Sequence, residues 1–255
     1  VITFSEAQLM AWLSPMVWPF LRVLAMFTSA PVFSSRTFPV RARIALAFFV
    51  ALAAQPFLGT QPVISIGGPD AAAAVLQQVG VGLAIGFVIR VVFAAVELAG
   101  EVIGFQMGLN FASFFDPTLN TQTSAVAGFF GKMASFMFVV MNGHLLLLLV
   151  VIKSFKTFPV DQSFLVAVTQ MKVLDLGADL FASGLWIALP LVGMMMFTNL
   201  ALGIVSRVAP QMNIYAIGFP ITLTVGLIGM AVTLPMLDQP FLTLMSRAID
   251  IFAVI

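Results

Sequence analysis

The sequence contains no cysteine and a single histidine, His144. Without thiols there is no disulfide framework, no thiolate nucleophile and no iron–sulfur or zinc–thiolate centre. One imidazole leaves little scope for metal or acid–base chemistry. Charge is scarce too, with 11 Lys+Arg and 10 Asp+Glu among 255 residues and a formal net charge of +1. No basic stripe is present to neutralise phosphates, which speaks against a nucleic-acid binder. Tyrosine occurs once and tryptophan three times, although spans resting in lipid usually carry these residues at both interfaces. So thin a belt leaves much of the apolar surface to face protein.

What the chain has in quantity is apolar. Hydrophobic residues make up 61%, including 26 Phe and 15 Met, and the mean hydropathy is +1.12. An ordinary soluble domain is about 45–50% apolar and about a quarter charged. Water is therefore excluded as the main solvent, and the chain reads as an all-α membrane protein. The run Met194-Met195-Met196 supplies soft side chains suited to irregular packing or to a deformable constriction.

The N-terminus carries no basic segment or cleavage site. The apolar stretch 7–31 is too long for a signal-peptide core and predicts a first membrane-length helix, open to kinking at Pro15 and Pro19. Arg36, Arg41 and Arg43 crowd the following turn with no acid among them, which assigns it to the cytoplasm by the positive-inside rule. Further apolar segments cover 44–58, 71–96 and its continuation to 108, 126–152, 180–206 and 214–236, before a tail at 241–255. Gly82 and Gly86, four residues apart, allow two helix backbones to approach closely.

Charges complicate the third segment. Arg90, Glu97 and Glu101 fall within about 40° of one another on a helix, and charges in an apolar helix face a partner or a wet cavity. Arg90 and Glu97 are expected to offset each other or to pair with a neighbouring subunit; assembly alone would account for them. Counting spans gives no consistent topology. One crossing over 71–108 puts Lys153 and Lys156 outside, whereas two half-crossings put them inside but make the Glu97 region a poor span. The failure predicts kinked helical hairpins buried on other subunits.

The stretch 106–128 is the least ordinary. Asp116-Pro117 ends any helix, and TLNTQTS is polar without charge. Non-helical backbone cannot face lipid, so the loop belongs in a soluble exit or a pore. Phe111, Phe114 and Phe115 share one helical face just before the break. Spacing alone supports both a hydrophobic constriction that excludes water and ions and a simple anchor for the loop. His144 beside Asn142 and Gly143 reads as a polar group at a bend. Asp175 and Asp179, at i and i+4, read as a solvated face. Near the end, Arg207 complements a helix C-terminus, Pro210 stops that helix, Asn213 caps the next, and Gly218-Phe219-Pro220 is expected to kink the returning arm.

Two segments, GFQMGLNFASFFDP at 104–117 and LGIVSRVAPQMNIYAIGFPI at 202–221, resemble signature stretches of the FliR/SctT family. That family is the R-type (T-type in injectisomes) export-gate component of bacterial type III secretion, and the motifs are closer to the flagellar branch. The second segment combines Arg207, Pro210, Gln211, Asn213, Gly218 and Pro220 in one short window. Tyr215 stands where Phe is more frequent.

The resemblance implies one export-gate membrane domain over 1–255: a P-type-like N-terminal part fused to a Q-type-like C-terminal hairpin at about 180–236. It implies a hetero-oligomer with P-type and Q-type gate proteins, further contact with the B-type switch protein and the A-type export protein, and unfolded export substrates in transit. The expected place is the flagellar basal body in the bacterial inner membrane, with much of the subunit on the periplasmic side. By position, the loop at about 106–122 becomes a plug, with Met107, Asn110, Phe111, Phe114, Phe115 and Asp116 as gating residues and Gly104 and Gly108 as hinges. No cofactor, catalytic residue or metal ligand is expected, and no Walker A pattern occurs. The alternatives are a secondary transporter of a small solute using Arg90, Glu97 and Glu101 and an intramembrane protease, for which the sequence lacks a nucleophile elbow or an embedded Asp pair.

Overall fold

The computed structural model describes residues 6–58, 70–109, 124–160, 175–211 and 213–253. All regular structure among them is helical: α1 (Glu6–Ser29), α2 (Val40–Ala54), α3 (Ala71–Gln106), α4 (Ala125–Val140), α5 (Gly143–Thr157), α6 (Asp175–Val208), α7 (Ile214–Thr233) and α8 (Asp238–Ala253). Four helical segments among the described residues are long and apolar enough to cross a membrane: Val40–Phe57, Ala71–Gln106, Gly177–Val208 and Ala216–Met236. The pair α4 and α5 makes a fifth if counted as one broken span. The all-α membrane architecture read from composition is the one observed.

The chain forms two compact units. The first holds α1, α2, α3 as far as Val91, α5, and α8 from Met245. The second holds α3 from Val92, α4 as far as Met137, α6, α7, and α8 as far as Leu244.

In the first unit, α1 and α3 pack backbone to backbone through the predicted glycine pair. A Cβ at Gly82 would run into the carbonyl of Arg22, and one at Gly86 would lie 2.7 Å from both Ala30 N and Met26 O. Real Cβ contacts are not that short, so only glycine permits this approach. Ser29 Oγ crosses the same seam to donate to Leu83 O at 3.2 Å. Pro15 and Pro19 both lie inside α1. Pro19 has no N–H to offer the carbonyl of Pro15, four residues earlier. Gln55 Nε2 donates to that oxygen at 2.9 Å in its place, which ties the end of α2 to α1.

The 126–152 segment is two helices. Asn142 adopts a left-handed conformation with φ 57 between α4 and α5, and Gly143 abuts the ring of Phe138, where a Cβ would fall 2.7 Å from Cε2. His144 follows directly at this bend. The stretch 71–108, by contrast, is one helix as far as Gln106.

Candidate functional site

The predicted loop is held at both ends, and the whole anchorage lies within the second unit. At its N-terminal root, α3 runs out at Gln106, Met107 N donates to Ile103 O at 3.0 Å, and Gly108 turns left-handed with φ +77. Glycine adopts that conformation at no steric cost. Met107 is fully buried against Gly226 of α7; a Cβ at 226 would lie 2.5 Å from Met107 Cγ and 2.7 Å from its sulfur. Thr222 Oγ1 reaches Met107 O at 3.4 Å and Phe219 O at 3.0 Å. Beside Gly108 lies the ring of Phe219, next to Pro220.

The C-terminal root is Ser124. Its hydroxyl accepts from Ala127 N at 3.1 Å, an N-cap for α4. Its own N–H donates to Glu101 Oε1 of α3 at 2.9 Å. A carboxylate at a helix N-terminus also complements the helix dipole. Gly100 lets the two helices meet here, since a Cβ at 100 would be 2.7 Å from Ala127 Cα. One turn back, Glu97 packs on Gly131, where a Cβ would fall 2.7 Å from its Oε1. Glu97 and Glu101 thus both serve the α3–α4 contact. Arg90 is exposed.

Gly104 is buried inside α3. Asn110, Phe111, Phe114, Phe115 and Asp116 lie outside the described residues. In the C-terminal segment, Arg207 occupies the last turn of α6, Pro210 and Gln211 form the exposed turn after it, and Asn213 Oδ1 accepts from Ala216 N at 3.3 Å to cap α7. Gly218 is buried and Pro220 exposed within α7. The outward face of α6 carries long apolar side chains over its whole length, among them Trp186 at 74% exposure, Phe197 at 76% and Val208 at 79%. Gly193, Met196, Phe197 and Leu200 line an open groove of about 550 Å³ on it.

The sequence reading does not single out Arg22, yet it is the one fully buried cation among the described residues. Its Nε donates to Gln78 Oε1 at 2.8 Å, Nη1 to Ser154 Oγ at 2.9 Å and Nη2 to Phe158 O at 2.8 Å. Gln78 in turn donates to Gln77 Oε1 at 3.2 Å, and Gln77 to Pro159 O at 2.9 Å. This network joins α1, α3 and the end of α5 inside the first unit. Each of these acceptors is neutral, but the oxygens beyond α5 carry the negative end of its dipole, where a cation is favoured. The available signal was one arginine midway along an apolar helix.

The family profile described as Bacterial export proteins, family 1, matches residues 13–248 of this chain. The chain belongs to that family. Its relatives include the flagellar biosynthetic protein FliR of Pectobacterium carotovorum subsp. carotovorum, 37% identical with 99% of this chain and 97% of the relative covered. The protein of the same name from Escherichia coli (strain K12) is 38% identical, covering 94% and 92% respectively. That of Bacillus subtilis (strain 168) is 31% identical, covering 84% and 83%. The family match runs through α1 to α8 and so includes both units, the anchored loop and the Arg22 network. For a bacterial export protein of family 1, the near full-length coverage makes the resemblance read from 104–117 and 202–221 a property of the whole chain.

Proposed function

We propose that this chain is a core subunit of the export gate of the flagellar type III secretion apparatus. With P-type and Q-type partners it forms the gated channel that passes unfolded flagellar proteins across the inner membrane. The observation that carries this reading is the anchorage of the polar loop at both ends within one compact unit, in a family whose relatives are flagellar biosynthetic proteins. A gate needs a segment that can yield, attached where it cannot drift. Met107, buried under Gly226, and Ser124, bonded to Glu101, supply fixed ends, and the left-handed Gly108 supplies a swivel.

The loop itself, with Asn110, Phe111, Phe114, Phe115 and Asp116, acts as the plug. Rings that exclude water hold back ions and still part for a polypeptide. The apolar face of α6 and the capped turn at Arg207–Asn213 make the hairpin that partners cover, much as hydrophobic interface cores are covered elsewhere. Exposed Arg90 is the candidate for pairing with a neighbouring subunit. The two units work as a single gate domain in the basal body, much of it on the periplasmic side, with the B-type switch protein and A-type export protein as further contacts.

The test replaces 110–122 by a short Gly/Ser linker that keeps both roots and measures ion conductance of the purified gate complex. A raised resting leak is expected, and an unchanged leak refutes the plug.

A further inference from the structure

The α1–α2 hairpin has a second feature that neither gating nor the Arg22 network uses. No Asp or Glu occurs between Glu6 and Asp70, a stretch that includes Arg36, Arg41 and Arg43 around the turn into α2. Pro39 precedes α2 with no side-chain cap, and the first turn of the helix has no acid. Its positive end therefore adds to the arginines instead of being offset by a carboxylate. Arg43 Nε is buried without a hydrogen-bond partner.

Against this cationic end lies an open groove of about 500 Å³, lined by Phe20 of α1 and by Arg41, Ile44, Ala45, Phe48 and Phe49 of α2. The α2 residues are spaced i, i+3, i+4, i+7 and i+8, so one face carries a cation at its start and an apolar wall behind it. From Arg41 to Phe48 the helix rises about 10 Å. Phe49 is 63% exposed and Ile44 45%. Arg43 stands about 200° round the helix from Arg41 and is off the groove.

We infer that this groove binds an anionic phospholipid, its phosphate against Arg41 at the mouth of α2 and an acyl chain along Phe20, Ile44 and Phe48. A purely apolar ligand would leave Arg41 and the uncapped helix end without a counter-charge. A free anion would engage Arg41 but not Ile44, Phe48 and Phe49. One molecule with a phosphate at one end and a chain at the other satisfies both, as basic pockets beside membrane helices do for acidic headgroups.

Native mass spectrometry of the full-length chain in neutral detergent tests the assignment with palmitoyl-oleoyl phosphatidylglycerol and the matching phosphatidylcholine. Wild type should retain phosphatidylglycerol over phosphatidylcholine by roughly tenfold, the order that a cation or two near an acidic headgroup contributes. Arg41→Gln should remove most of that preference, Arg43→Gln much less, and Phe49→Ala should lower retention of both lipids. Circular dichroism checks that each variant is folded. The headgroup comparison on wild type stands on its own if a variant is not. Equal retention of the two lipids overturns the inference. So does a preference that survives Arg41→Gln, or one that glycerol 3-phosphate at millimolar concentration competes away, which would mean a free-phosphate site. Absence of bound lipid from the purified gate complex would give the groove to a protein neighbour and overturn it equally.

Discussion

The guanidinium carbon of Arg22 lies 3.6 Å from the centroid of the Phe155 ring in the last turn of α5, and two of its hydrogen bonds go to Ser154 Oγ in that turn and to Phe158 O just beyond it. One side chain thereby combines a cation–π contact with three directed bonds to neutral acceptors. No carboxylate is among these partners, so the network tolerates neither loss of the charge nor loss of the fork.

Arg22→Leu should destabilise the protein by about 3 kcal/mol or more, since it strands buried acceptors on Gln78, Ser154 and Phe158. Arg22→Lys should fall between, because an ammonium keeps the charge but lacks the planar fork. Thermal unfolding in detergent and steady-state abundance check both, and a wild-type melting point in Arg22→Leu would remove the network's structural role.

Gly86→Ala should cost about 1–3 kcal/mol by overpacking the seam with Met26 and Ala30. Gly203→Ala, with open space around its position in α6, should be neutral or stabilising by up to about 1 kcal/mol. Comparing their melting points separates close packing from generic helix propensity.

Met107 and Gly226 should be energetically coupled. Met107→Ala should lose about 2–4 kcal/mol by leaving a cavity, and Gly226→Ala should lose stability by collision with Met107. Together the two changes should cost less than their sum, as a double-mutant cycle measures; strict additivity would mean that the residues do not touch.

Glu101→Ala and Ser124→Ala each remove part of the loop's C-terminal root and should cost about 1 kcal/mol. If the loop is the plug, both variants also raise the resting ion leak of the gate complex, by less than replacement of 110–122 does. Conductance tied to stability in this way separates a loosened plug from general unfolding, for which Gly86→Ala, remote from the loop roots in the chain, serves as the control.

Local signals carried well from sequence to structure. Gly82 and Gly86 mark the α1–α3 seam, Pro210 follows the end of α6, and Asn213 caps α7, because small residues, missing N–H groups and short polar side chains act within a turn of where they stand. The anchoring of Ser124 by Glu101 was not legible. A carboxylate at i, i+4 from another carboxylate reads equally as an assembly charge, and the Ser124 amide that it accepts from lies 23 residues away.

Composition by itself determined that this protein is helical and lives with membrane: 61% hydrophobic residues and 8% charged ones allow no other solvent. The absence of thiols and of more than one imidazole likewise limited its chemistry before any fold was known. Only the tertiary structure decided where the few charges go. Arg22 meets Ser154 across 132 residues of chain, and Met107 meets Gly226 from another helix. Periodicity reports which face of a helix is apolar; which other helix that face meets depends on shape complementarity summed over many weak contacts, and no local pattern encodes it.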